Sequence, residues 1–558
     1  MLASLLVAVT LVPPLSVWEF RNVAKKRDSH HFFERIKALY GRLIRVVLEN
    51  RGKAILGAVV LFLLSLTLMR NLGTEYIPKL DESDGTAVIK LEPGISLKDT
   101  DDFMKDMEKA VSSQPEHVSM LSMVGLSETS SIDMVFGIAP SDVNEAEMYF
   151  QLKPSAERKR TFRTICDKIS QGINMREGSV VYFMDTMDWF FGGGERPIEV
   201  KIFGNDLEEL EKVGREAEVI MRKVKGVCEL DNSMKPGKPE LQIDIDREKA
   251  SRLGITVAQI AATVDAAFLG EKSGKYRVAG DEYNIRVKYN EKDRNDPEKL
   301  SSVLIPSPTG AMYYLHEVAD VVKGTGPSRI NREEQRRVVV LSANVTGRDL
   351  GSTVEEIKQK LSAISLPEGY TIMCGGGYQD MQEMQTAMAF TFALVVLLIY
   401  LVMCMQFESF LQPFAILFSV PMALIGVAVI LYLTGITLSM MSFIGILILV
   451  GLAVNNAIIL IDYTNKLRRS GVEKKQAIIE AGAIRLRPII MSSLTTIFGL
   501  LPLSVLKGDG YEIFAPISIT LLGGMLTSTF LTLLVVPAWY SLIDEWAEGI
   551  RNRFRRSN

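Results

Sequence analysis

The chain has 558 residues, 47% of them hydrophobic, and a formal net charge of −3 at pH 7. That balance gives no basic footprint for nucleic acid. Apolar residues bunch at the two ends around a polar middle, the layout of a membrane protein carrying a large soluble insertion rather than of an all-soluble enzyme. Cys166, Cys228, Cys374 and Cys404 lie far apart without metal-ligand spacing, and His30, His31, His117 and His316 form no cluster, so neither a zinc site nor a disulfide framework is expected.

Residues 1–20 are apolar up to Glu19, and the basic residues Arg21, Lys25, Lys26 and Arg27 follow the run instead of preceding it. That order predicts a membrane span with its N-terminus outside, not a secretory leader. Over residues 30–52, Phe32, Phe33, Ile36, Leu39, Tyr40, Leu43, Val46 and Val47 recur at helical spacing with Arg35, Lys37, Arg42 and Arg45 between them. This predicts a cytoplasmic amphipathic helix lying against membrane lipid. Residues 53–70 are just long enough for a second span.

From Asn71 to about Met384 there is no span-length apolar run. Strand-like alternations such as Ala87 to Leu91, Ile198 to Phe203 and Val338 to Val345 precede helical patterns, which suggests ferredoxin-like α+β sandwiches. Residues 237–324 break that rhythm with short strands around one helix, Val257 to Phe268, and read as an insertion.

A five-helix bundle is expected over residues 386–542, with a basic cytoplasmic tail at 543–558. About seven spans then alternate from an outside start. Basic residues crowd the inner loops, among them Lys466, Arg468, Arg469, Lys474 and Lys475, and the soluble region faces the exterior or periplasm. No Walker sequence, nucleophile motif or metal-ligand spacing points to a hydrolase or an ATPase.

The most informative stretch is Gly451-Leu-Ala-Val-Asn-Asn-Ala-Ile-Ile-Leu-Ile-Asp-Tyr463, two amides inside an apolar run. On a helix Asn455 and Asp462 share one face and Asn456 points about 100° away. Polar groups inside a membrane mark function by default. The alternative is that both amides only join helices, at about 0.6 kcal/mol each. Asp462 also reads as a solvated cytoplasmic end.

That stretch, Arg485-Leu-Arg-Pro-Ile-Ile-Met-Ser-Ser-Leu, Gly523-Gly-Met and Val535-Val-Pro-Ala resemble the last spans of resistance-nodulation-division (RND) efflux transporters of the hydrophobe/amphiphile type. Glu75-Tyr-Ile-Pro-Lys-Leu-Asp, Pro93-Gly-Ile-Ser-Leu and Phe407-Glu-Ser-Phe follow the same family in the same order. The match is to the C-terminal half of such a transporter, with residues 1–20 equivalent to the sixth span.

The resemblance implies a polytopic α-helical membrane protein with a large extracytoplasmic region of porter subdomains, at 84–185 and at 197–236 plus 325–374, and a docking subdomain at 237–324. It implies a switch loop between Gly125 and Glu147 with Met134 and Phe136 on the substrate path, although both side chains could equally pack in a core. It makes Gly375-Gly376-Gly377 either a flexible connection to the membrane or a plain loop.

For proton coupling the resemblance points to Asn455, Asn456, Ser492 and Arg485. Asn455 stands where the family's drug pumps carry a lysine, and no Asp-Asp pair lies within any span; the alternative readings are a packing hydroxyl for Ser492 and a cytoplasmic anchor for Arg485. The implied activity is secondary, proton-driven antiport of amphiphilic drugs or detergents at the inner membrane, without a cofactor other than the proton gradient. It is not expected without the N-terminal half, from the same gene or a separate chain. The implied partners are that half, a homotrimer of complete transporters, a periplasmic adaptor and an outer-membrane channel. A heavy-metal exporter of the same family is disfavoured because amides replace the acidic residue typical there. A non-transporting docking or assembly subunit is the other alternative.

Overall fold

The structure is a computed structural model that describes residues 6–7, 9–20, 31–78, 81–125, 142–176, 178–185, 196–235, 237–326, 330–505, 508 and 510–557. Three helices come first: α1 (Val12–Phe20), α2 (His31–Glu49) and α3 (Arg51–Arg70). The chain then leaves the helical bundle for two α/β units built in the same way.

The first unit runs β1 (Asp84–Lys90), α4 (Leu97–Ser112), β2 (His117–Val124), β3 (Glu145–Leu152), α5 (Phe162–Gln171), β4 (Val180–Asp185), and its sheet has the order β2-β3-β1-β4. Ser96 starts α4 by accepting from the Asp99 amide, and Thr161 starts α5 by accepting from the Thr164 amide. Phe103, Met104, Met107 and Val111 recur on one face of α4 and bury against Met148, Phe150 and Phe183 of the sheet. Each such buried side chain contributes about 1.5–3 kcal/mol.

The second unit is interrupted. It begins with β5 (Ile198–Gly204), α6 (Leu207–Arg222) and β6 (Val227–Asn232), and closes after the insertion with β11 (Arg336–Val345), α8 (Leu350–Leu361) and β12 (Thr371–Gly375), in the order β6-β11-β5-β12. The insertion leaves through β7 (Lys238–Ile245) and returns through β10 (Ala319–Gly326), which pair antiparallel from Lys238 with Gly326 to Ile245 with Ala319. Inside it are α7 (Val257–Phe268), opened by a Thr256–Gln259 capping box, and the hairpin of β8 (Glu271–Val278) and β9 (Asp281–Val287), exposed along its length.

The next helix, α9 (Gly377–Phe407), starts directly after β12, nine residues before the apolar run at Thr386. Tyr378, Met381 and Met384 of its first turns belong to the core of the second unit. The three glycines therefore form a tight strand-to-helix junction and not a plain loop. Gly375 ends the strand, Gly377 begins the helix, and Gly376, at φ +68°, leaves no room for a Cβ, which would lie 2.5 Å from the Arg196 carbonyl oxygen.

Among the described residues six helices are long and apolar enough to cross a membrane: α3, α9, α10 (Leu411–Thr434), α11 (Met440–Arg469), α12 (Lys474–Val505) and α13 (Tyr511–Ser557). The expected span at residues 1–20 is represented by the nine-residue α1. Helix α13 is the centre, packed by α10, α11 and α12. Small residues permit this: a Cβ on Gly524 would lie 2.0 Å from Leu449, and one on Gly445 3.0 Å from Thr520.

The bundle is held at both ends. Towards the α/β units, the Leu438 amide donates to Gly73 at 2.8 Å and the Met440 amide to Tyr76 at 3.2 Å. At the opposite end Asp544 accepts from Arg468 at 3.1 Å and Lys474 at 2.9 Å. Helices α9 and α12 line the outside, with Phe390 71% and Phe498 65% exposed.

Candidate functional site

Within α11 the two amides part company. Asn456 is buried, 2% exposed, and donates to the Ser493 hydroxyl of α12 at 3.2 Å; Thr529 of α13 donates to the same oxygen at 2.9 Å. One serine thus ties three helices. Asn455 is exposed, on a stripe with Ile448, Gly451 and Asp462 that none of the described residues covers. A bare amide at mid-span is costly in hydrocarbon.

The other sequence-derived positions lie apart. The Ser492 hydroxyl bonds back to the Ile489 carbonyl of its own helix at 3.1 Å, and its neighbour Ser493 takes the bond to Asn456. The Arg485 guanidinium stacks 4.5 Å from the Tyr463 ring, joining α12 to α11 near the cytoplasmic end. Met134 and Phe136 lie outside the described residues.

Sequence reasoning missed a second polar centre, where the two α/β units meet along β6. Lys90 of β1 reaches Asp231 at 3.2 Å, and Lys235 reaches the other oxygen of that carboxylate at 2.7 Å. Arg163 of α5 donates to Glu229 at 2.5 Å, and Asn344 holds the second Glu229 oxygen at 2.6 Å. Arg196, in the link between the units, lies 4.3 Å over the Tyr182 ring and donates to the Ser342 carbonyl at 3.1 Å. Glu229 sits at φ +53°, and β11 is bulged between Ser342 and Asn344 opposite it.

Burial and charge compete along this seam. Burial alone would raise the Asp231 pKa, but Lys90 and Lys235 hold it below the ordinary carboxylate value. Burial lowers Arg196, against the pull of Glu229, and it drives the Cys228 thiol, with Glu229 beside it, up to about 11.

Lys90, Lys235 and Asp231 also form one wall of a cleft of about 490 Å³ between the units. Five cationic side chains and five carboxylates line it, so it carries strong local charge and no net sign. Lys238 pairs with Asp142 across its mouth, and Lys201 reaches Glu333 at 3.0 Å. Asn144, 7% exposed, donates to Leu91 at 2.8 Å while its carbonyl oxygen has no partner among the described residues. Such an ionic cleft suits a charged or strongly hydrated solute. Pockets for apolar drug-sized molecules are lined mainly by hydrophobic and aromatic groups.

Residues 1–544 match the profile of the AcrB/AcrD/AcrF family. The cobalt-zinc-cadmium resistance protein CzcA of Cupriavidus metallidurans is 29% identical over 569 residues, which cover 99% of this chain and 53% of the relative. The multidrug resistance protein MdtC of Yersinia pestis bv. Antiqua is 24% identical over 562 residues, with 99% and 53% covered. The crystal structure of a heavy metal efflux pump superposes with a TM-score of 0.80 at 27% identity, covering 92% of this chain and 53% of that one. The chain spans about half the length of the curated relatives it matches.

Proposed function

Because the chain belongs to the AcrB/AcrD/AcrF family of RND efflux transporters, we propose that it forms the solute-handling and membrane half of a cation exporter of the inner membrane. The observation that carries this reading is the charged cleft between the α/β units. Five cations and five carboxylates line it where an amphiphile exporter calls for an apolar wall. The names of two of the three similar proteins support the same class, cobalt, zinc and cadmium for one and heavy metals for the solved structure, while MdtC is named for multidrug resistance.

Amphiphilic drugs as substrates give way to this reading. The argument against a metal exporter rested on the amides Asn455 and Asn456, and those amides do not line the cleft. Asn456 has a packing role that needs no solute at all.

In this reading the chain works with further spans, those of the N-terminal half, which cover the Asn455 stripe. Asn455 is then the group that meets the carboxylates carrying the proton, and Asn456, with Ser493 and Thr529, keeps α11 in phase with its neighbours. Arg485 anchors the cytoplasmic end, and Ser492 keeps its hydroxyl within α12. Transport is secondary, driven by the proton gradient, in a trimer that meets a periplasmic adaptor and an outer-membrane channel.

The test is expression in cells stripped of their own cation exporters, alone and together with a polypeptide carrying the N-terminal half of a relative. Cell-associated zinc, cobalt and cadmium are measured by mass spectrometry and ethidium by fluorescence. Lower metal with unchanged ethidium, only when both halves are present, is the expected result. Lower ethidium with unchanged metal restores the amphiphile reading, and no change in either points to a docking or assembly subunit.

A further inference from the structure

We propose that α2 is a binding surface for anionic phospholipid headgroups of the cytoplasmic leaflet. The helix cannot roll. The Tyr40 hydroxyl donates to the Leu533 carbonyl of α13 at 3.1 Å, and the same side chain lies so close over Gly482 of α12 that a Cβ there would sit 2.1 Å from that hydroxyl. Ile44 is fully buried and Leu48 nearly so on the same face.

With that face pinned, the remaining positions follow at about 100° per residue. Leu39, Leu43 and Val46 form a neighbouring sector and are 55%, 44% and 58% exposed. Beyond them comes a third sector with Arg35, Arg42 and Arg45, all exposed, which also carries the exposed Glu34 and Glu49 and has a net positive charge. Around the circumference the order is protein-facing, apolar and uncovered, then cationic. A surface of that kind matches a bilayer edge, with acyl chains against the leucines and phosphates above them.

The location agrees. Helix α2 runs along the N-terminal half of α12, where Lys475 is 4.0 Å from Glu49 and the Arg487 guanidinium is 5.7 Å from the Phe33 ring. That end is remote from the α/β units, which attach near Gly73, Tyr76 and Leu438. Charge settles which lipid. Among the described residues no carboxylate pairs with Arg35, Arg42 or Arg45, whereas nearby Arg51 is held by Glu545 at 2.5 Å. Unpaired guanidinium forks match the phosphodiester of an anionic headgroup, and a net-neutral phosphatidylcholine offers them less. The inference does not depend on which solute is exported.

The experiment reconstitutes the full chain in phosphatidylcholine vesicles with trace spin-labelled phosphatidylglycerol or spin-labelled phosphatidylcholine, and reads the motionally restricted fraction by electron paramagnetic resonance. A preference for phosphatidylglycerol is expected that falls by roughly threefold or more in Arg42→Gln/Arg45→Gln, since each cation near an anionic surface is worth about fivefold before screening. Arg42→Lys/Arg45→Lys is expected to keep most of it, and 1 M salt to erase most of it in the unaltered chain. Millimolar inorganic phosphate should leave it in place; competition by phosphate would reassign the surface to a free anion and overturn the proposal. So would equal restriction of both labels in the unaltered chain, or an undiminished preference in the Arg→Gln variant. Altered folding in that variant would not rescue the idea, because the salt response of the unaltered chain is an independent measure.

Discussion

Gly426 of α10 and Gly523 of α13 meet backbone to backbone, so that a Cβ on Gly426 would lie 2.1 Å from the Gly523 carbonyl oxygen. This crossing lets the central helix approach its neighbour closely enough for Ala423, Val427 and Leu521 to share one core. Gly426→Val is expected to cost about 3 kcal/mol or more, the upper end of overpacking penalties, since two of the obstructing atoms belong to the Gly523 backbone. Gly451→Ala in α11, with nothing within 4 Å of the new Cβ, should instead gain up to about 1 kcal/mol of helix propensity. Unfolding of the purified chain in mixed detergent micelles checks both signs.

The bond between Asn456 and Ser493 separates packing from function. Truncating both in a double-mutant cycle is expected to give a coupling energy of about 0.6 kcal/mol. Asn455→Ala, on the uncovered stripe, should leave the stability of this chain unchanged. A measurable loss of stability from Asn455→Ala would show that the stripe is already engaged.

Asp231 makes the seam acid-sensitive. Its folded pKa lies below the ordinary carboxylate value, against the effect of burial, because Lys90 and Lys235 favour the charged form. A depressed carboxylate stabilises the folded state above its unfolded pKa, near 4, and that contribution disappears as pH falls through the folded value. Fluorescence-monitored unfolding between pH 7 and pH 3 should show the loss, and Asp231→Asn should flatten the profile. At neutral pH that substitution is expected to cost about 3 kcal/mol by leaving two ammonium groups without their partner.

Cys228 reports on the same seam. Burial, with the Glu229 carboxylate adding to it, pushes its thiol up to about 11. In a chain whose other three cysteines are replaced by alanine, alkylation at pH 8 should run roughly 200-fold slower than for a free thiol, and rise about tenfold per pH unit up to pH 10. Arg163→Met removes a cation 3.3 Å from the sulfur and should slow the reaction further.

Gly376→Ala tests the junction of sheet and span. Its φ of +68° and the Arg196 oxygen 2.5 Å from the new Cβ combine strain with collision. Loss of at least 2 kcal/mol is expected. Gly499→Ala, in open space on α12, serves as the control.

What was legible follows from how local each signal is. The alternation at Ala87 to Leu91 and at Ile198 to Phe203 is realised in β1 and β5, because period-two patterning is written in neighbouring residues. The divergence of Asn455 and Asn456 follows from 100° of rotation, and the structure separates them into exposed and buried. The start of α9 was hidden: Tyr378-Gln-Asp-Met-Gln-Glu reads as a polar loop by hydropathy, yet its Tyr378, Met381 and Met384 are core. Ser493 lost to Ser492 in the reading of Met491-Ser-Ser-Leu, since only the packing phase of α12 against α11 tells them apart. The seam at β6 left no trace, because Lys90 and Asp231 are 141 residues apart and nothing local marks either as paired.

The pairing of β7 with β10 has a further consequence. Entry and exit of the insertion are hydrogen-bonded neighbours, with Lys238 opposite Gly326. To the host sheet the whole excursion is therefore equivalent to a hairpin, and its length and content are free to change without moving β6 or β11. Exchanging it between relatives inside Lys238 and Gly326 would replace the insertion as a cassette, with the cleft, Lys238 included, and the membrane bundle left as they stand.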